Sequence, residues 1–185
     1  DPVEGIGPTY PFTYLFDHSS SVGGHSGSLF LQSSSWEWTG TNSNTVGGHN
    51  GPFIGCQFTE KITFTGIGIW PRTNYPQSCP RVFYIYGSND ASNWDLVFSY
   101  ADETTGAIAT GLSSGGPYEN DKFAIFNITD NGKGYTYFHM VVTFTYSLTD
   151  STNANVNFKK LNIYGYPSEI GASMTNLIDV DTDTA

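Results

Sequence analysis

Cys56–Tyr100 reads CQFTEKITFTGIGIWPRTNYPQSCPRVFYIYGSNDASNWDLVFSY. Ile62, Phe64, Ile67 and Ile69 stand among Thr and Gly, β-rich material whose alternation slips at Gly66, as at a bulge. Pro71 stops the run, and mostly polar residues follow. Arg81–Tyr86 then forms a second aromatic and β-branched strand, Gly87-Ser-Asn-Asp turns the chain, and Trp94–Tyr100 begins a third. The remainder is read as further strands completing a sandwich around this piece.

Outward from that stretch, Phe53–Phe58, Lys122–Ile128 and Val156–Tyr164 read as strands, the last with a phase slip at Lys159-Lys160. Tyr135–Tyr146 is the longest, with Phe138, Met140, Val142 and Phe144 on one face and His139, Val141, Thr143 and Thr145 on the other. Asn131-Gly-Lys-Gly134 is a turn. Tyr14–Asp17 and Leu29–Gln32 read as short strands, whereas Thr39–Asn50 has no hydrophobic period. Ala101–Asn120 and Leu148–Asn155 are long polar connections. Residues 1–13 form an extended lead-in, 14–165 one β-sandwich domain and 166–185 a tail. About eight short strands with long loops imply two packed sheets.

The chain has 185 residues, natural for one all-β domain that buries roughly two-thirds of its unfolded surface. Seven basic residues against 17 acidic ones give a formal net charge of -10. That disfavours nucleic acid and anionic membrane as partners, and no stretch is long and apolar enough to insert into a membrane. The chain begins at Asp1 and not Met, as after removal of a leader. Low Lys with abundant Ser, Thr and Asn points to an extracellular protein, or to the exposed surface of a cell, filament or virion. Cys56 and Cys79 read either as a bridge, closing a loop worth about 3 kcal/mol, or as one buried and one loop thiol. They make no zinc signature with the scattered histidines.

Several pieces in order carry a resemblance: Phe16-Asp17, Ser34-Ser-Trp36, Ile69-Trp-Pro-Arg72, Tyr84-Ile-Tyr-Gly-Ser-Asn-Asp-Ala-Ser-Asn-Trp94 and Leu161-Asn-Ile-Tyr-Gly165. From about Tyr14 to Gly165 the chain resembles the discoidin, or coagulation factor 5/8 type C, family and its carbohydrate-binding relatives. The resemblance implies an all-β, galactose-binding-like jelly-roll sandwich of about eight antiparallel strands. It implies core positions for Trp36 and Trp94, and a ligand arginine at Arg72, where sugar-binding relatives place one. The chain departs from the family in three ways. Asp17 is followed by His18 and not Gly, the domain-closing disulfide of many animal members has no match, and Lys160 stands where the family often has an acidic residue near a calcium-binding loop. An ammonium there repels a divalent cation, so calcium is disfavoured and no cofactor is expected.

Sugar recognition needs flat apolar faces against ring C–H groups and planar donors for hydroxyls, which Trp, Tyr, Arg, Asn and His supply. Three loops concentrate them: Ser33–Asn50 with Trp38 and His49, Trp70–Gln77 with Arg72, Asn74 and Tyr75, and Leu148–Asn155 with Asp150, Asn153 and Asn155. Each has a plainer reading. His49 follows Gly47-Gly48 and serves equally as a turn cap, Arg72 as half of an internal salt bridge, and Asn74 and Tyr75 as loop packing before Pro76. Catalysis has little support, because the carboxylates show no paired spacing. Two readings follow. One is a non-enzymatic module binding a neutral or weakly acidic glycan through loops at one end of the sandwich. The other is a self-assembling structural protein of a virion, surface layer or filament, a homo-oligomer linked through its termini.

Overall fold

The computed structural model describes residues 24–25, 45–51, 53–71, 79–102, 118, 123–146 and 156–168. Within them lie strands β1 (Gly24–His25), β2 (Thr45–Val46), β3 (His49–Asn50), β4 (Phe53–Trp70), β5 (Pro80–Ser88), β6 (Asp95–Ala101), β7 (Ala124–Asn127), β8 (Tyr135–Thr145), β9 (Asn157–Phe158) and β10 (Lys160–Pro167). Six of these make one sheet in the order β10-β4-β8-β5-β6, with β7 also on β4; β1 with β9 and β2 with β3 form two small ribbons. All pairs are antiparallel.

The curl of this sheet comes from β4. Its first half pairs with β8, from Phe53↔Val141 to Gln57↔Tyr137, and the next pair is Ile62↔Tyr135. Phe58–Lys61 are therefore surplus on the β4 side, which bends the strand. The second half pairs with β10 and β7 instead, with Ile67 opposite both Ile163 and Phe126. It comes back over the first half. Phe58 and Phe64 approach to 5.9 Å between ring centroids, Phe64 meets Phe138 edge-on at 5.6 Å, and Phe126 meets Phe83 edge-on at 5.1 Å. Ile54, Ile67, Ile69, Ile85, Met140 and Leu161 fill the space between, all buried. Each such side chain contributes roughly 1.5–3 kcal/mol on leaving water.

The slip at Gly66 is a bulge. Tyr164 pairs with Gly66 and Gly165 with Phe64, leaving Thr65 as the extra residue. The slip at Lys159-Lys160 is also present: β9 stops at Phe158, Lys159 bends the chain, and Phe158 and Leu161 are both buried across the break. The Lys159 N–H donates to the Trp70 carbonyl at 2.7 Å.

Other expectations are corrected. Phe144 does not continue the apolar face of β8. Val82 pairs with Phe144 and Phe83 with Val142, so Thr143 is bulged out, the alternation flips, and Thr145 is buried in place of Phe144. Within Thr39–Asn50, which lacks a hydrophobic period, Thr45–Asn50 forms a hairpin. Gly47 and Gly48 have φ of 58° and 87°, the left-handed pair a two-residue turn of this hand requires, and the Tyr86 ring occupies the space a Cβ on Gly47 would need. Trp94 is half-buried outside the main core, on the opposite face of the sheet, in a smaller cluster with Val46, Phe53, Tyr84, Tyr86 and Val141. Cys56 and Cys79 are not joined by a disulfide.

Candidate functional site

The two ends of the curled sheet differ. At one end the turns are short and bonded to themselves. Ser88 Oγ accepts from the Asp90 and Ala91 N–H groups at 3.2 and 3.0 Å, and Asp90 Oδ1 accepts from those of Ser92 and Asn93 at 2.9 and 2.7 Å. These donors hold the Asp90 carboxyl far below the usual carboxylate range. Asn89 ties this turn to the next, its Nδ2 donating to Gly134 O at 3.0 Å while its Oδ1 accepts from the Thr136 N–H at 3.2 Å. Lys133 Nζ donates to Asp95 Oδ2 at 2.8 Å, a solvent-exposed pair that salt screens.

The long connections all leave from the other end. Pro80 pairs with Thr145, Val82 with Ala101 and Ala124 with Ile69, so the β4–β5, β6–β7 and β8–β9 connections emerge side by side. Tyr118, fully buried, lies beneath them, 5.9 Å from Tyr146 and 6.3 Å from Phe126 between ring centroids. Tyr146 Oη donates to Asp102 Oδ2 at 2.6 Å, and Arg81 Nε to the Asp102 carbonyl at 3.0 Å. Burial, then the Asp102 contact, pushes the Tyr146 phenol far up. Burial does the same to Tyr118, whose hydroxyl has no hydrogen-bond partner among the described residues. An orphaned buried hydroxyl carries its desolvation cost uncompensated, so Tyr118→Phe is expected to raise stability by about 1 kcal/mol. A urea titration checks this, and a loss of stability would mean that the hydroxyl is bonded.

Two aromatic groups stand outside the core. His139 lies between Phe53 and Trp94, with ring centroids at 4.5 and 4.0 Å. Its Nδ1 is buried without a hydrogen-bond partner among the described residues, and burial lowers the imidazole to about 4. The second group is on the outer face of β10, β4 and β7. Gly66, Gly68 and Trp70 alternate with the buried Ile67 and Ile69, and Trp70 meets Phe123 at 5.4 Å.

Solved structures share this fold. The chain superposes on CBM32-3 from a family 31 glycoside hydrolase of Clostridium perfringens with a TM-score of 0.57 at 15% identity, covering 90% of this chain and 88% of that one. The family 32 module of C. perfringens NanJ, solved in complex with galactose, gives 0.55 at 12%, covering 88% and 90%. CBM62 from Clostridium thermocellum Xyl5A gives 0.51 at 19%, covering 91% and 94%. The fold is shared with carbohydrate-binding modules. No family model and no curated protein matches the chain. CBM32-3 and a second matching module, CBM32-1, both come from a family 31 glycoside hydrolase, and the likeness to this chain is one of fold.

Against that module fold the expected site residues distribute unevenly. Arg72, Asn74, Tyr75 and Trp38 lie outside the described residues, as do Asp150, Asn153 and Asn155. The Arg72 segment is nonetheless bounded by Pro71 and Cys79, both buried at the long-connection end. His49 is described. Its ring stacks on Tyr84 at 3.4 Å and 17°. Its Nδ1 is hydrogen-bonded to the Tyr86 hydroxyl, and that hydroxyl lies 3.3 Å from Gly47 O. Lys160 opens β10 opposite Trp70, and among the described residues no three His, Cys, Asp or Glu gather to hold a metal. Among the same residues no helix is long and apolar enough to cross a membrane. The sequence reading missed the exposure of Trp70, for which the Gly66-x-Gly68-x-Trp70 alternation was the available signal.

Proposed function

We propose that this protein is a glycan-binding module for attachment or adhesion, a galactose-binding-like jelly-roll sandwich whose ligand sits at the long-connection end. The observation that carries the reading is the side-by-side exit of three polar connections from one end of a fold shared with carbohydrate-binding modules, one of them solved with galactose. Arg72 is the anchor. Pro71 pre-sets the backbone before it and β4 holds that proline in place, so the guanidinium fork can present two donors to vicinal hydroxyls or a carboxylate. Trp38 or Tyr75 supplies a flat face for the sugar ring, and Asn74 supplies a further polar contact.

At a net charge of -10 the ligand is a neutral or weakly acidic glycan and not a heavily sulfated one. A shallow site in competition with water gives a dissociation constant of about 0.1–1 mM, so firm attachment needs several copies. Such work is done outside the cell or on an exposed surface. Nothing described favours the self-assembling reading, whose terminal segments lie almost wholly outside the described residues. The test is a glycan array probed with a multivalent form and its Arg72→Ala variant. Arg72→Ala is expected to weaken the specific signal about tenfold or more with unchanged melting, about the loss of one charge-assisted hydrogen bond. If the multivalent protein retains no glycan, the reading fails. If Arg72→Ala instead melts far lower, Arg72 is an internal salt-bridge residue.

A further inference from the structure

The outer face of β10, β4 and β7 has a composition unlike the rest of the surface. Its rungs pair Lys160 with Trp70, and Asn162 and Ile125 with Gly68; Tyr164 pairs with Gly66. Phe123 precedes Ala124, the partner of Ile69, and so stands beside Trp70. The two glycines give the face a bare backbone floor. The Phe123 ring lies where a Cβ on Gly68 would be, and Tyr164 Cε2 is 3.2 Å from the same point. Both rings therefore lie down on the sheet and do not stand off it. Trp70 remains 41%, Tyr164 39% and Ile125 58% exposed. Three aromatic side chains held half in water on a rigid floor are poor core and a good stacking platform.

Polar groups flank the platform. Asn162 Nδ2 donates to Tyr164 Oη at 3.3 Å, which fixes the phenol and leaves the amide oxygen as an acceptor. Lys160 shares the Trp70 rung and has no ion-pair partner among the described residues. No carboxylate belongs to these rungs, in a chain with 17 acidic residues. Toward the far end of β10, Asp130 is engaged by the Tyr166 hydroxyl at 2.5 Å. The face is thus flat, apolar, edged by a planar amide and a phenol, with the Lys160 ammonium on the Trp70 rung.

We infer that the bound glycan extends from the long-connection end onto this face, and that it is an oligosaccharide bearing a carboxylate sugar. This rests on the glycan-binding reading above and specifies its ligand. The C–H faces of successive rings stack along Trp70, Phe123 and Tyr164, Asn162 bonds the hydroxyl edge, and the carboxylate lies at Lys160. A protein or a second copy of the chain would also cover an apolar strip. The carboxylate-free rungs in so acidic a chain favour an acidic sugar over another copy carrying the same net negative charge.

The test uses the full chain made in bacterial cells, so that the Asn127-Ile-Thr129 sequon on the same face carries no sugar. An array of length-graded uronic and sialylated oligosaccharides, with their methyl esters and monosaccharides, is probed with wild type, Tyr164→Ala and Lys160→Gln. Acidic oligosaccharides of three or more sugars are expected to bind at least tenfold better than the monosaccharides. Tyr164→Ala should erase that gain, Lys160→Gln should erase the preference for acid over ester, and neither should change melting. If monosaccharides bind as well as oligosaccharides, or Tyr164→Ala binds as wild type does, the extended site is wrong while glycan binding stands. If no glycan binds, the parent reading falls first and this one with it. If wild type is a dimer in solution and Tyr164→Ala a monomer, the face is an interface between copies and the inference is overturned.

Discussion

Replacing Phe126 with alanine is expected to lower the unfolding free energy by about 3–5 kcal/mol, the range for a large aromatic removed from a core. β7 is only four residues long and pairs with the second half of β4 through four residue pairs. Its hold on the rest of the molecule is Phe126, which meets Phe83 at 5.1 Å, Tyr100 at 4.6 Å, Phe98 at 6.3 Å and Tyr118 at 6.3 Å between ring centroids. These rings belong to β5, β6 and the floor of the long-connection end, so one side chain fastens the returning half of β4 to the first sheet layer. Truncation leaves a cavity that four aromatic neighbours cannot close without moving. For a chain of this size the loss corresponds to a fall in melting temperature of roughly 10 °C. Urea unfolding with an unchanged slope measures it, and a loss below about 1 kcal/mol would mean that β7 does not pack as described.

Acid should act first through His139. Its imidazole is lowered from 6.5 to about 4 by burial between Phe53 and Trp94. The folded state therefore holds it neutral while the unfolded chain takes up a proton near pH 6.5. Stability from this group is complete above pH 6.5 and is lost as pH falls through that value toward 4. The full shift would correspond to roughly 3 kcal/mol, and the partial exposure of the ring reduces the expectation to about 2 kcal/mol. His49 is lowered in the same direction by burial and adds to the slope. The carboxylates of Asp95 and Asp130, lowered by Lys133 and by Tyr166 respectively, act only further into acid. Urea midpoints between pH 7 and 4 should fall for wild type and fall by much less for His139→Phe, which keeps the stack and removes the titration. Equal slopes for the two proteins would show that His139 carries no such cost.

The core of this fold was legible where alternation is a property of one strand. Ile67 and Ile69 against Gly66, Gly68 and Trp70 can be read from the chain alone, and so can the slip marked by Lys159. Features that depend on a partner strand were not legible. Phe144 leaves the apolar face because β5 skips Thr143, and nothing near Phe144 encodes that choice. The reversal of β4 occurs within Phe58–Lys61, which contains neither Gly nor Pro, so it is imposed by pairing Gln57 and Ile62 with nearly adjacent residues of β8. The hairpin at Thr45–Asn50 carried its signal in Gly47-Gly48, too short a pattern to stand out without the Tyr86 ring it covers. For the site, the long polar connections were plain in the sequence. Their exit from a common end follows from strand register, which no single segment states. Trp94 was expected in the core, but it packs on the opposite face of the sheet beside His139, a placement that depends on the partner strand.

The most direct measurement is a titration of isotope-labelled protein with the tightest oligosaccharide from the array, followed by amide chemical shifts. Binding at the long-connection end should move the signals of Trp70, Cys79, Arg81, Asp102 and Lys160, and leave Asn89–Asn93 and Asn131–Gly134 in place. Shifts confined to those short turns, or no shift at saturating ligand, would contradict binding at that end.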